Sequence, residues 1–219
     1  MGQVPRNHTV LMGDIVESEQ FPSREHLHVV FNRSVDAANQ KHGDDIASPL
    51  TITLGDEFQG LFSSRAAAFR VAHEMRLELL HEGVRCRFVV GDVHLETPLN
   101  KSSAWNMLGR GLAEARGRLE EKQDPNAYRF SFPEDGDLPP LLDAIGSSLS
   151  FLEEGWTERQ QLYIRESLLS GLDVVEIADR HGVSKRAVYK GLEAANLKLY
   201  QRQLDAISGY LRAHESAGR

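Results

Sequence analysis

Cysteine is almost missing from this 219-residue chain. Cys86 is the only one, so no disulfide forms within the chain and no metal cluster can be built from thiolates. Long apolar runs are missing as well. No stretch reaches the ~18 consecutive apolar residues of a membrane span, and Met1 to Val10 lacks the apolar segment of a secretory signal. Together these absences predict a soluble, cytoplasmic protein with no membrane partner. A dominant positive charge is also lacking. The net charge of −7 and pI near 5.7 exclude a wholly basic nucleic-acid coat. There are no long repeats and no low-complexity tract.

What is present is enough apolar residue, 41%, to build a core, and enough length for two domains. Charge divides the chain. Residues 156–219 hold ten Lys/Arg against eight Asp/Glu, a balance of +2 within the total of −7, so residues 1–155 carry −9. An acidic front and a mildly basic back point to two modules with different partners.

Periodicity supplies the elements. Thr9 to Val16 reads as a buried strand carrying an acid near its end. Ser23 is a candidate N-cap for a helix with Leu27, Val30, Phe31, Val35 and Ala38 on its apolar face, stopped by His42-Gly43-Asp44-Asp45. Thr51 to Phe62 reads as two short strands joined at Leu54-Gly55-Asp56-Glu57, because a Gly-Asp pair accepts the torsions of a tight turn. A second helix is predicted from about Ser64 to Glu82, a strand from Arg85 to Val93, a third helix from roughly Ser102 to Glu121, and a strand at Tyr128 to Phe132. The order β-α-β-β-α-β of the first six elements matches the split β-α-β plan, an antiparallel sheet with helices on one face. Pro133 to Pro140 is acidic and rich in Pro and Gly, a domain boundary. A connecting helix, Leu141 to Phe151, leads to helices at about 157–170, 174–181, 184–195 and 197–213. The predicted fold is therefore α+β, a ferredoxin-like palm domain at 1–135, a linker and connecting helix at 136–155, and an all-α domain at 156–219.

Asp14 ends the first strand and Asp56 sits on the hairpin, and the split β-α-β order makes those strands neighbours. Two carboxylates on adjacent strands suit a hard cation such as Mg²⁺, which is often held by one or two acids plus substrate phosphates. The main-chain carbonyl of Ile15 is a further candidate ligand. Asp92, His94 and Glu96 are candidates to extend the site.

Met12-Gly13-Asp14-Ile15-Val16 and Leu54-Gly55-Asp56-Glu57-Phe58 resemble the two metal-binding motifs of class III nucleotide cyclases, and the hairpin is similar to the signature of GGDEF diguanylate cyclases. Gly109 to Arg116 loosely resembles the helix that carries the cyclases' catalytic Asn and Arg. The resemblance implies Mg²⁺ at Asp14, Ile15 and Asp56, with Arg116 and Glu57 at a nucleotide. It also breaks down. Ala113 or Glu114 stands where the Asn would fall, and the loop Glu17-Ser18-Glu19-Gln20 is acidic where a triphosphate wants free N–H groups and positive potential. No catalytic residue is assigned.

Val174 to Tyr189 fits a helix-turn-helix. Ala178 is small where two helices cross, Gly182 permits the turn, Val183 plugs the core, Ser184 caps the next helix and Val188 anchors it inward. Ser184, Lys185, Arg186, Tyr189 and Lys190 then occupy positions that reach base edges or phosphates in the major groove of DNA. The preceding helix resembles the start of sigma-factor region 4. The last helix is apolar enough to pack across the module or to form a homodimer interface.

In order and content, the whole chain resembles the SatD family: a Gly-Asp-Ile-Val start, a Gly-Asp-Glu-Phe hairpin and a C-terminal helix-turn-helix. The leading expectation is a DNA-binding transcriptional regulator whose palm domain senses a metal–nucleotide ligand. The alternative is a Mg²⁺-dependent nucleotide cyclase or nucleotidyltransferase with an accessory DNA-binding module.

Overall fold

A six-stranded sheet forms the centre of the computed structural model, which describes residues 7–215. Strand β1 (Asn7–Ile15) is followed by a short 3-10 turn (Ser18–Gln20) and helix α1 (Arg24–Lys41). The hairpin β2 (Ile46–Leu54) and β3 (Glu57–Phe62) comes next, then α2 (Arg65–His81) and β4 (Cys86–Leu95). The strand order is β2-β3-β1-β4, with every pair in that run antiparallel. Each β-α-β crossover thus skips one strand, which is the split β-α-β arrangement. Strand β6 (Tyr128–Ser131) joins β4 in parallel, so the sheet is antiparallel apart from its last strand.

Alternation along the strands divides the sheet into two packed faces. Leu11, Ile15, Phe58, Phe62, Phe88 and Val90 point toward α1 and α2. Val10, Met12, Leu61, Val89 and Val93 point the other way, onto Ala115 and Leu119 of α3 (Leu112–Glu120). The two helices of the first six elements therefore share one face, as the split β-α-β order predicts, and the later α3 covers the other.

The largest departure lies between β4 and α3. The helix predicted from Ser102 begins only at Leu112. Asn100 accepts from the N–H groups of Ser102 and Ser103, a local turn that competes with helix formation. Gly109–Arg110 then adds a two-residue strand, β5, to β4. Gly111 follows with φ of +93° against the Asp92 carbonyl, a conformation and an approach that exclude a side chain.

Helix α4 (Leu138–Glu154) is longer than predicted at both ends. Pro139 and Pro140 lie in its first turn, where a missing N–H costs nothing. It runs along β6 and satisfies that edge. Asp143 accepts from the Phe130 N–H at 2.9 Å, and Ser150 accepts from the Ala127 N–H at 2.8 Å.

Helices α5 (Glu158–Leu169), α6 (Val174–His181), α7 (Lys185–Ala194) and α8 (Leu197–His214) follow, within a residue or two of the predicted spans. Their buried Tyr163, Ile164, Tyr200 and Ile207 belong to the same continuous core as Leu11 and Phe58. The C-terminal helices are thus docked on the α+β part rather than tethered to it.

Candidate functional site

Three strands set one charged row. Asp14 on β1 is the register partner of Glu57 on β3 and of Arg87 on β4, so all three lie side by side on the α3 face. Asp56 precedes Glu57 at the hairpin turn. Its carbonyl accepts from the Ile15 N–H at 3.1 Å, which fastens the turn to the end of β1. Its carboxylate accepts from the Ser18 hydroxyl at 2.6 Å. The structure therefore brings Asp14, Ile15, Asp56 and Glu57 to one end of the sheet. The Ile15 side chain is in the core, leaving its carbonyl as the donor available to a cation.

Asp14 is only 7% exposed and its nearest cation, the Arg87 Nε, is 3.7 Å away. Burial pushes its pKa up to about 6; Arg87 opposes the shift and Asp56 adds to it. Arg87 is equally buried, and its Nη1 has no hydrogen-bond partner among the described residues. A buried carboxylate and a buried guanidinium are both left short of partners, in direct view of each other.

The remaining predicted positions are occupied differently. Arg116 on α3 binds Glu57 at 3.1 Å and is partly exposed. Glu114 accepts from the Gly111 N–H and caps α3, so its carboxylate serves the helix. The acidic loop is less repulsive than its sequence suggests, because Arg85 pairs with Glu17. Asp92, His94 and Glu96 do not extend the site. They sit at the opposite end of β4, with Asp92 five residues or about 17 Å from Arg87, and they engage Arg65, Asn7 and Arg110.

The donors present suit a cation that arrives with ligands of its own. Among the described residues no group of three or more His, Cys, Asp or Glu gathers to cage a metal. Two carboxylates and a carbonyl leave most of an octahedral shell to water or phosphate.

A second candidate region lies on α6 and α7. Asp173 caps α6 through the N–H groups of Val175 and Glu176. Gly182 turns the chain at φ +62°, the Val183 N–H bonds to the Ala178 carbonyl, and Ser184 caps α7 through the Ala187 N–H. Ala178 and Val188 are buried between the helices. Lys185, Arg186, Tyr189 and Lys190 all face solvent, Tyr189 at 63% exposure. Among the described residues, none of these three cations is in an ion pair.

Sequence reasoning missed Arg87, and it missed a buried polar cluster joining the two halves. Glu153 of α4 receives Arg76 of α2 at 2.8 Å and the hydroxyls of Tyr128 and Tyr200 at 2.6 Å each. His73 of α2 meets Tyr200 of α8 at 2.9 Å. Burial lowers the His73 pKa to about 4, so the ring is neutral. Strand alternation was a usable signal for Arg87, since Cys86 and Phe88 point toward α1 and α2 and the residue between them points to the opposite, α3 face. No local pattern marks the Glu153 cluster, whose members lie up to 127 residues apart.

Among solved structures, a bacterial light-regulated adenylyl cyclase matches at 18% identity and a TM-score of 0.40, over 59% of this chain and 44% of its own. The guanylate cyclase domain of RhGC from Catenaria anguillulae matches at 16% and 0.37, over 52% and 72%. The adenylyl cyclase CyaB from P. aeruginosa matches at 15% and 0.38, over 53% and 74%. This chain thus spans less than half the length of the light-regulated cyclase, and identities this low carry no residue role across. No curated protein matches. A model of the SatD family matches residues 8–210, nearly the full length, and the chain belongs to the SatD family.

Proposed function

We propose that this protein is a DNA-binding transcriptional regulator whose α+β part senses a nucleotide carried with Mg²⁺. Asp14 and Asp56, with the Ile15 carbonyl, would hold the cation. The buried Arg87 would lend its positive charge to a phosphate, and Arg116 and Glu57 stand at the edge of the same row. The observation that carries the sensing half is the Asp14–Arg87 pair, two buried charges at 3.7 Å with an orphaned donor. Bound Mg²⁺ supplies charge neutralisation for the phosphates; the chain's own groups supply orientation.

The DNA-binding half reads α6 and α7 as a helix-turn-helix, with Ser184, Lys185, Arg186, Tyr189 and Lys190 on the DNA. Its support is a row of exposed, unpaired cations at a helix N-terminus in a chain of net charge −7. A cationic patch kept free of ion pairs in an acidic protein suits phosphate contacts. A homodimer would present two such helices to two half-sites. Coupling between the halves would run through the buried Glu153 cluster, and a ligand shifts the arrangement only if it binds one form more tightly.

The test is enrichment from a random duplex DNA pool with the full chain, with and without Mg²⁺ and a nucleotide panel. Enrichment lost in Lys185→Ala/Arg186→Ala supports the regulator; no enrichment under any condition sinks it.

The enzyme reading, a nucleotide cyclase or nucleotidyltransferase, is favoured by the adjacency of Asp14 and Asp56. Incubation with ATP or GTP and Mn²⁺, followed by mass spectrometry, separates the two. A cyclic or transferred product that disappears in Asp14→Ala would reverse the ranking.

A further inference from the structure

On the sheet face away from Asp14, helices α1 and α2 diverge around a half-open cleft of about 240 Å³. Its inner wall is apolar: Val30 and Ala38 from α1, Val71, Met75 and Leu79 from α2, and Leu169 from the end of α5. The lip is charged, but its charges are spent on one another. Arg33 pairs with Glu82 at 2.6 Å, Lys41 and His42 with Glu74 at 2.7 and 3.0 Å, and Arg165 of α5 with Glu78 at 3.2 Å. Ser34 also lines the cleft, and its hydroxyl has no hydrogen-bond partner among the described residues.

We propose that this cleft is a binding site for a small, neutral, aromatic or short acyl molecule carrying one hydrogen-bonding group. Size sets the first limit. An apolar cavity of about 150 Å³ takes up benzene, so about 240 Å³ suits a bicyclic ring or a chain of similar bulk. Charge sets the second, because a charged ligand would have to break a lip ion pair to find a counterion. The Ser34 hydroxyl supplies the polar anchor that orients an otherwise apolar guest.

The position gives the site a consequence. Leu169 and Arg165 belong to α5, on which α6 and α7 pack. A molecule in the cleft touches α1, α2 and α5 together, so its binding strengthens the docking of the C-terminal helices on the α+β part. This goes beyond the nucleotide reading, shares no residue with it and stands or falls separately.

The probe is indole, neutral and bicyclic with one N–H, against indole-3-acetate and tryptamine as charged analogues. Titration of the full chain, followed by methyl NMR and thermal melting, requires neither nucleotide nor DNA. The expected result is saturable indole binding with contacts to Leu169 and Val71 methyls, a raised Tm, and at least tenfold weaker binding of both charged analogues. Ala37→Phe, which fills the cleft from its exposed lip, should weaken indole at least tenfold while leaving the unliganded Tm unchanged or higher. Ser34→Leu serves as the second filling variant if Ala37→Phe folds poorly. Absence of saturable binding, equal binding by the filled variants, or tighter binding of a charged analogue would each overturn the proposal.

Discussion

Among the described residues two buried carboxylate–arginine pairs stand out, and they are finished to different degrees. Glu153 is fully buried and receives Arg76, Tyr128 and Tyr200 at 2.6–2.8 Å. The Arg76 Nη1 continues to the Cys86 carbonyl at 3.0 Å. Asp14 has Arg87 at 3.7 Å, and the Arg87 Nη1 has no hydrogen-bond partner among the described residues. A completed pair is a structural joint, since burying two charges is tolerable only when the remaining donors and acceptors are filled. An incomplete pair stores an unmet demand that a cation and an anion can meet together. The contrast separates the joint between the two halves from the site that would use it.

The largest effect is expected at the joint. Arg76→Met leaves Glu153 buried without its cation and should cost about 3–5 kcal/mol, read by urea denaturation with both halves losing structure in one transition. Retention of the C-terminal helices while the sheet melts would break the claim of a shared core.

His73 makes the joint acid-sensitive. Its folded pKa, about 4, lies below the ordinary 6.5, so its contribution is complete above pH 6.5 and lost as pH falls toward 4. That loss amounts to about 3 kcal/mol. The difference between wild type and His73→Gln, followed from pH 7 to pH 4, isolates it: the variant should lose less stability over that range.

Asp14 runs the opposite way. With a folded pKa raised to about 6, protonation favours the folded state, so its contribution is present below pH 3.8 and is lost as pH rises through 6. Asp14→Asn should accordingly stabilise the protein at pH 7, by about 1–3 kcal/mol, while removing Mg²⁺–nucleotide binding. A variant less stable than wild type would mean that Asp14 is a structural acid like Glu153.

The smallest effects belong to α7. If α7 binds DNA as proposed and Lys185 or Lys190 meets a phosphate there, replacing either by Ala should weaken DNA binding uniformly across sequences. It should also reduce the slope of log K against log salt by about 1.

Elements carried by local pattern were legible in the sequence. Ser23 caps α1 through His26, Ser184 caps α7 through Ala187, and the hairpin turns at Gly55-Asp56. These follow from side chains acting within a few residues. The pairing of Asp14 with the hairpin was legible too, because β-α-β-β-α-β order dictates which strands adjoin. What escaped depends on contacts across the chain. Residues 102–111 read as the start of a helix, yet the local turn at Asn100 and the close approach of Gly111 to the Asp92 carbonyl of β4 commit them to a loop and strand. Arg87 was visible as a charge in a strand, but not as the residue opposite Asp14. Nor did Tyr128 or Tyr200 announce a shared carboxylate.

In the proposed sensing role, the Asp14–Arg87 pair is left unfinished because a ligand completes it. Calorimetric titration of the full chain with a nucleotide panel in Mg²⁺, on wild type and Asp14→Asn, tests this most directly. Wild type should show saturable, Mg²⁺-dependent binding of at least one nucleotide, and the variant none. No binding by wild type, or equal binding by both, would contradict it.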